Sequence, residues 1–324
     1  MILRQEILKV LKERSGEWVS GEVLSKDLNV SRTTIWKHVK ALRDDGYQFE
    51  SSPRKGYRIM APADILSPEE VQSGLVTKVF GQKHYVYYRQ IDSTNKHART
   101  LAEEGYPEGT LVIAEEQTAG KGRRGREWYS PFNRGIYMSI ILRPNLPLRQ
   151  IPRLSLLTAV ALAEVLEETG LRPGIKWPND ILVNGKKIAG ILAEIITDMD
   201  GVEFIVLGIG ININNSSDDF PDDLRTPPTS IMSELGMPGS RVELLQKLLL
   251  SLEQLYELLQ TDHFTFILEK ARRLSTVLGK KVQFDDSGVN IAGMALDLDE
   301  NGFLLVQDEK GKVHTVISGE IDSL

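Results

Sequence analysis

The sequence predicts an α+β chain of three modules: a basic three-helix unit with a strand hairpin, a central mixed sheet with helices, and a small barrel of short strands. Three patterns predict it. Apolar residues recur at helical spacing up to Asp44 and then alternate; apolar strands and helices interleave through the middle; from about Leu278 short strands alternate with Asp/Gly turns. The boundaries fall at residues 1–62, 66–274 and 275–324, with Ala61-Pro62-Ala63-Asp64 as a linker. At 324 residues and 41% hydrophobic, the chain can bury several cores.

Charge is unevenly placed. Six lysines and six arginines against eight carboxylates give residues 1–60 a charge of +4, which leaves −10 for the remainder of a chain that totals −6. A basic unit on an acidic body assigns any polyanion contact to the first part. There is no cysteine, which excludes disulfides, thiolate metal sites and cysteine nucleophiles. The start, Met1-Ile2-Leu3-Arg4-Gln5-Glu6, has no signal-peptide pattern, and no apolar run reaches the roughly 18–20 residues that span a bilayer. A soluble, cytoplasmic protein without membrane contact is expected.

In the first module Ile7, Leu8, Val10 and Leu11 mark one helix. Ser20 opens a second, from Gly21 to Leu28, and Ser31 caps a third, from Arg32 to Asp44, whose apolar stripe is Ile35, Val39 and Leu42. Tyr47–Glu50 and Gly56–Ile59 alternate as two strands around Ser51-Ser52-Pro53-Arg54-Lys55. This is a winged helix-turn-helix pattern. Its candidate DNA contacts are Ser31, Arg32, Thr33, Thr34, Trp36, Lys37 and Lys40 on the third helix, with Arg54 and Lys55 at the wing tip. An interaction module with a solvated polar face has the same pattern; the charge split favours DNA. Trp36 and Tyr57 suit either core or contact.

In the body, Leu66-Ser67-Pro68-Glu69-Glu70 caps a short helix and Tyr85–Tyr88 is a strand. Asp92-Ser93-Thr94-Asn95 then opens a helix to Glu104; these side chains either cap it or offer donors to a ligand where backbone N–H groups converge. The strand Leu111–Ala114 leads through Gln117 into Gly120-Lys121-Gly122-Arg123-Arg124-Gly125-Arg126, and Gly135–Leu142 is the next strand. Three glycines and four cations in seven residues exclude a buried strand or stable helix. Taken alone, the loop suits a small anion, a nucleic-acid backbone or plain solvent. Ile151–Gly170 is a long apolar helix. Next come Lys176-Trp177-Pro178-Asn179-Asp180 and a hairpin through Asn184-Gly185. Lys187 follows, on a strand face with Ala189 and Ile191 if alternation holds, either in a site or in solvent. Phe204–Gly210 is a core strand with Ile211–Asn214 as its exit, and residues 241–274 form two amphipathic helices. The barrel strands are Val282–Phe284, Val289–Leu296, Phe303–Val306 and Val313–Val316, with Asp285-Asp286-Ser287-Gly288 as the first turn.

Asp92–Asn95, the Gly120–Arg126 loop, Lys176–Asp180, Lys187-Ile188-Ala189-Gly190 and Gly208-Ile209-Gly210-Ile211-Asn212, in that order, resemble the bifunctional biotin–protein ligases that double as biotin operon repressors. The resemblance covers essentially the whole chain. It implies a class II synthetase-like central domain and an SH3-like C-terminal barrel. It also implies ATP, Mg²⁺ and biotin as ligands, with biotinyl-5′-AMP as intermediate and corepressor. The implied partners are the biotin carboxyl carrier domain of a carboxylase, operator DNA and, with ligand bound, a second copy of the chain.

By that resemblance biotin is held by Ser93, Thr94, Asn95, Gln117, Gly120, Lys121, Gly122, Arg123, Lys187 and Gly190. Lys187 and Arg123 are catalytic, Lys187 bridging the carboxylate and the α-phosphate. Arg124, Arg126, Trp128, Lys176, Asn179, Asp180 and Asn212 meet the nucleotide, with Trp128 stacking or packing in the core, and Asp180 serves the metal. Lys121 stands where the common pattern has arginine, so a main-chain role is expected there. The ending Gly319-Glu320-Ile321-Asp322-Ser323-Leu324 carries no arginine after the Gly-Glu-Ile. A lipoate–protein ligase shares the central chemistry, and a ligand-sensing repressor without enzymatic activity shares the first module; the loop and the Lys-Trp-Pro-Asn-Asp run favour biotin over the first, and the nucleotide residues and barrel speak against the second.

Overall fold

The computed structural model describes residues 2–44, 46–60, 64–197, 201–221, 224–261, 263–286, 289–317, 319 and 321–323. The expected linker residues Ala61, Pro62 and Ala63, the turn residues Ser287 and Gly288, and Glu320 and Leu324 lie outside the described residues. The chain divides into two compact units, Met1–Ser73 and Gly74–Leu324.

The first unit contains α1 (Ile2–Glu13), α2 (Gly21–Asp27), α3 (Arg32–Asp44), β1 (Phe49–Ser52), β2 (Gly56–Ile59) and α4 (Pro68–Val71). Its interior is Ile7, Leu11, Leu24, Ile35, Val39 and Leu42, all buried, which is the apolar set that helical spacing selects. Ser20 Oγ accepts from Val23 N and Ser31 Oγ from Thr34 N, both at 3.1 Å, so each hydroxyl satisfies a free N–H at a helix start. The hairpin is tighter than alternation suggests. Phe49 pairs with Ile59 and Ser52 with Gly56, leaving only Pro53, Arg54 and Lys55 as the turn. Tyr47 stays out of the strand because it is drawn inward: its hydroxyl donates to Glu70 Oε1 at 2.6 Å, and Lys12 Nζ lies 2.6 Å from the same oxygen. These contacts carry the unit past residue 62 to Ser73. Burial beside Glu70 pushes the Tyr47 phenol well above its usual range.

The second unit is built on a seven-stranded sheet, in the order β3-β4-β5-β9-β8-β7-β6. The strands are β3 (Tyr85–Tyr88), β4 (Leu111–Ala114), β5 (Gly135–Leu142), β6 (Pro173–Lys176), β7 (Asp180–Val183), β8 (Lys186–Thr197) and β9 (Val202–Asn212). Among the described strands of this sheet only β3 and β4 pair with each other in parallel, around the crossover helix α5 (Thr94–Glu103). Ala98 and Ala102 of α5 pack on Val112, Ile141, Phe204 and Val206. The helix α6 (Pro152–Glu167), apolar nearly all round, packs on β6, β7 and β8 and against α8 (Arg241–Gln260) and α9 (Phe264–Leu274). The short α7 (Ile231–Leu235) precedes α8. Last comes a five-stranded antiparallel sheet of β10 (Lys281–Asp286), β11 (Val289–Leu298), β12 (Leu304–Asp308), β13 (Val313–Val316) and β14 (Asp322–Ser323), in the order β13-β12-β11-β10-β14. Trp177 Nε1 donates to Gly302 O at 2.9 Å, and Arg272 forks onto Asp297 at 2.7 and 3.0 Å, so this sheet is held to the seven-stranded one. No described helix is long and apolar enough to cross a membrane.

Among the described residues of this unit, one ion pair is fully buried. Arg241, 0% exposed at the start of α8, places Nη1 at 2.6 Å from Glu115 Oε2 at the end of β4 and also bonds Asn133. Removing one partner of such a pair strands a buried charge. Arg241→Ala is expected to lower the unfolding free energy by about 3–5 kcal/mol in urea titrations; a loss below about 1 kcal/mol contradicts this placement.

Candidate active site

The site lies where β8, β9 and β5 present small residues on one face. Gly190 pairs with Gly210, and Gly208 pairs with both Leu192 and Ser139. The missing Cβ atoms leave a floor for other side chains. A Cβ at Gly208 would lie 2.0 Å from Asn95 Oδ1, one at Gly210 would lie 2.4 Å from the Trp128 indole, and one at Gly190 would lie 2.9 Å from it. Glycine here is a steric requirement.

Lys187 reaches this face through an irregularity. Leu182 pairs with Lys187 but Ile181 pairs with Ala189, so Ile188 is an extra residue in β8. The bulge reverses the alternation expected from the sequence. Lys187 does not share a face with Ala189 and Ile191; its Cε and Nζ lie 3.2 and 3.3 Å from where a Gly190 Cβ would be. There Nζ sits 2.7 Å from Asp180 Oδ1 and 5.3 Å from the centroid of the Trp128 ring. The hairpin turn before it has positive φ at both Asn184 (51°) and Gly185 (78°), as the Asn-Gly pair requires.

The basic loop folds as a small hairpin. Gly122 N donates to Arg126 O at 2.7 Å, Trp128 N to Gly120 O at 2.9 Å, and Lys121 pairs with Glu127. Arg124 and Gly125 take φ of 57° and 74°, turning Arg124 outward, while Arg123 turns inward. Its Nη1 donates to Asn179 Oδ1 at 2.9 Å and to Gly319 O at 3.3 Å. Burial holds the Arg123 guanidinium below its ordinary pKa, and the neighbouring Arg124 and Arg126 act in the same direction.

Two adjoining cavities open on this floor. The smaller is lined by Ser93, Thr94, Asn95, Gln117, Lys121, Gly122, Arg123, Lys187 and Gly190 from the expected set, together with Met138, Gly208 and Gly210. The larger is lined by Arg126, Trp128, Lys176, Asn179, Asp180 and Asn212, together with Tyr129, Phe220, Arg225, Ile321 and Asp322. Arg123, Trp128, Asn179 and Lys187 belong to both walls. Gly120 lines neither; a Cβ there would lie 2.6 Å from Trp128 O, so it shapes the turn. Arg124 also lines neither. Asn95 has its amide engaged inside the protein, and Asn212 Nδ2 donates to Thr229 O at 3.0 Å. Trp128 lies against the floor, with a buried Nε1 that has no hydrogen-bond partner. Among the described residues no cluster of three or more His, Asp and Glu side chains could hold a metal ion. Sequence reasoning missed Ser139, Phe220, Arg225 and Asp322. A small polar side chain in an otherwise apolar strand was the one available signal, at Ser139; Phe220 and Arg225 come from irregular segments and Asp322 from the two-residue β14.

In the first unit, Ser31 is exposed just before α3, Arg32, Thr33, Trp36, Lys37 and Lys40 are exposed on it, and Thr34 is half-buried. Trp36 is 52% exposed, with Lys40 Nζ 5.8 Å from its ring centroid, so it is no part of the core. Arg32 pairs with Glu22 at 2.5 Å. At the wing tip Arg54 and Lys55 are exposed, and Lys55 lies over Trp18.

Comparison with known proteins gives three family matches: the biotin/lipoate A/B protein ligase family over residues 86–212, an HTH domain over residues 3–58, and the biotin protein ligase C-terminal domain over residues 277–323. The bifunctional ligase/repressor BirA of Bacillus spizizenii is 41% identical over 321 residues, 99% of this chain and 98% of that one. The protein of the same name from Escherichia coli is 30% identical, over 95% of this chain and 93% of that one. The biotin protein ligase of Aquifex aeolicus, solved in complex with biotin and ATP, superposes with a TM-score of 0.64 at 29% identity, covering 75% of this chain and 99% of that one.

The floor has a direct test. Gly210→Ala forces the Trp128 indole off the sheet, an overpacking of about 1–3 kcal/mol. ATP affinity by calorimetry is expected to fall roughly 5- to 100-fold, and unchanged affinity contradicts a role for the indole in shaping the larger cavity.

Proposed function

The chain belongs to the biotin/lipoate A/B protein ligase family, and from that premise we propose that it is an ATP-dependent biotin–protein ligase that also represses transcription when biotinyl-5′-AMP is bound. In the first step an oxygen of the biotin carboxylate attacks the α-phosphorus of ATP. The bond to the bridging oxygen breaks, and pyrophosphate leaves. In the second, the amine of an acceptor lysine on a biotin carboxyl carrier domain attacks the acyl carbon, AMP leaves, and the amine gives up a proton.

The first step must join two anions, and in-line geometry matters as much as charge. One observation carries the assignment: Lys187 is in the walls of both cavities, with Arg123 beside it. A carboxylate in the smaller cavity and a phosphate in the larger would meet at its ammonium. Lys187 then stabilises the charge that develops on the pentavalent phosphorus, and Arg123 adds a second cation. The smaller cavity suits biotin, with Ser93, Thr94, Gln117, the backbone of 120–122 and the bare Gly190 around it. The larger suits the nucleotide, with Trp128 offering a ring face and Arg126, Lys176, Asn179 and Asn212 offering donors. Mg²⁺ needs few protein ligands, since it keeps its waters and is held by one or two carboxylates plus substrate phosphates. Asp180, a single carboxylate beside Lys187, fits that ion and would orient the triphosphate.

The winged unit supplies the second activity. The exposed polar face of α3 and the basic wing suit an operator, and two copies of the unit in a ligand-bound homodimer suit a palindromic one. ATP, a carboxylase's carrier domain and operator DNA as ligands and partners support a cytoplasmic setting.

Pyrophosphate release from ATP and Mg²⁺ is expected only when biotin is added, and Lys187→Ala is expected to lower kcat by about 10²–10³-fold with near-UV circular dichroism unchanged. No release with biotin, or near-normal turnover by the variant, contradicts the assignment. Lys37→Glu combined with Lys40→Glu is expected to abolish operator shifts by the biotinyl-5′-AMP-bound protein while pyrophosphate release stays at the wild-type rate; retained shifts contradict the DNA face.

A further inference from the structure

Beneath Thr94 and Gln117 runs a buried chain of hydrogen bonds that the cation chemistry does not use. Asn95 Nδ2 donates to Glu194 Oε2 at 2.7 Å. Ser139, fully buried on β5, has its Oγ 2.6 Å from Asn95 Oδ1 and 2.8 Å from Thr94 Oγ1. Gln117 Oε1 accepts from Thr94 N at 2.9 Å and lies 3.1 Å from Thr94 Oγ1. Gln117 Nε2 donates to Ser130 Oγ, and Ser130 Oγ donates to Trp128 O, each at 2.9 Å.

Both ends of this chain fix its direction. An ionised carboxylate only accepts, so Asn95 turns its nitrogen to Glu194 and its oxygen to Ser139. A backbone N–H only donates, so Gln117 turns its oxygen to Thr94 and its nitrogen to Ser130. Ser139 has one proton, and the nearer acceptor, Asn95 Oδ1, takes it. Its lone pairs then face Thr94. Thr94 also has one proton. Sent to Gln117, it would leave two oxygens 2.8 Å apart with no proton between them; sent to Ser139, it completes the chain. Thr94 Oγ1 and Gln117 Oε1 remain as two acceptors 3.1 Å apart on the wall of the smaller cavity. Gly208 supports the arrangement, because any Cβ there would displace the Asn95 oxygen.

We propose that Ser139, Asn95 and Glu194 are positioning residues that set the polarity of the smaller cavity, so that it selects its ligand through an N–H donor at Thr94 and Gln117. Resting on the biotin assignment, this assigns the recognised group to a ureido N–H of the cyclic urea, and it rejects a ligand with an oxygen in that place. A site built around a paired acceptor leaves it unsatisfied when the donor is missing.

The test uses the full-length protein with biotin and with the two cyclic carbamate analogues in which one ureido N–H is replaced by a ring oxygen. Pyrophosphate release gives KM and kcat for each ligand. The wild type is expected to favour biotin over at least one carbamate through KM. Ser139→Ala frees the Thr94 proton to turn into the cavity. It is expected to raise the KM for biotin roughly 5- to 10-fold, to leave that carbamate's KM within about twofold, and to leave kcat for biotin within about twofold. Glu194→Leu, on the half-buried end of the chain, is expected to narrow the ratio in the same way, and Glu194→Gln, whose amide oxygen still accepts, to restore it. Parallel rises in both KM values, or a fall in kcat with the KM ratio intact, overturn the proposal. A wild type that turns over biotin without preferring it overturns the proposal alone; a wild type that releases no pyrophosphate overturns the ligase assignment with it.

Discussion

The chemistry of this site hangs on a single extra residue, Ile188, in a sheet that otherwise keeps register from Lys186 to Ile196. Were Ile188 paired in regular alternation instead of bulged, Lys187 would point to the face that carries Ala189 and Ile191, both buried. With the bulge, the ammonium lies over the glycine floor beside Asp180 and Trp128. A β-bulge costs one ladder pairing and re-aims one side chain. The glycines at 190, 208 and 210 do the complementary work, opening the space into which Lys187, Trp128 and Asn95 are turned.

Around this floor the polar interactions fall into two kinds. Lys187 with Asp180, and Arg123 with Asn179 and the Gly319 carbonyl, are partly exposed and border open space, so they are poised to exchange partners for a bound anion. Arg241 with Glu115 is buried and closed, and the run from Glu194 through Asn95 and Ser139 to Thr94 is hydrogen-bonded inside the protein up to the cavity wall, and such networks stiffen what they support. Rigid support beneath adaptable cations is an arrangement suited to an enzyme that must hold two anions together and then release one as pyrophosphate.

Much of this was legible in the chain. The capping serines, the apolar stripe of α3 and the Asn184-Gly185 turn each follow from local rules, and each stands where those rules put it. Five short motifs carried the family resemblance. What escaped was non-local. No periodicity marks Ile188 as an extra residue, because the bulge exists only relative to Ile181 and Leu182 on the neighbouring strand. Tyr47 read as a strand residue until Glu70, far along the chain, drew it inward. Phe220, Arg225 and Ile321 from irregular segments, and Asp322 from the two-residue β14, complete the larger cavity, and no pattern marks them out. Asn95 lines the smaller cavity, and its amide is bound by Glu194 and Ser139, two residues brought to it only by the fold.

A crystal structure with biotin and a non-hydrolysable ATP analogue bound together would decide whether the bulge places Lys187 as the bridging cation. Nζ is expected within about 3.2 Å of both a biotin carboxylate oxygen and an α-phosphate oxygen. A complex in which both ligands are seated while Nζ stays on Asp180, out of reach of either anion, would contradict it.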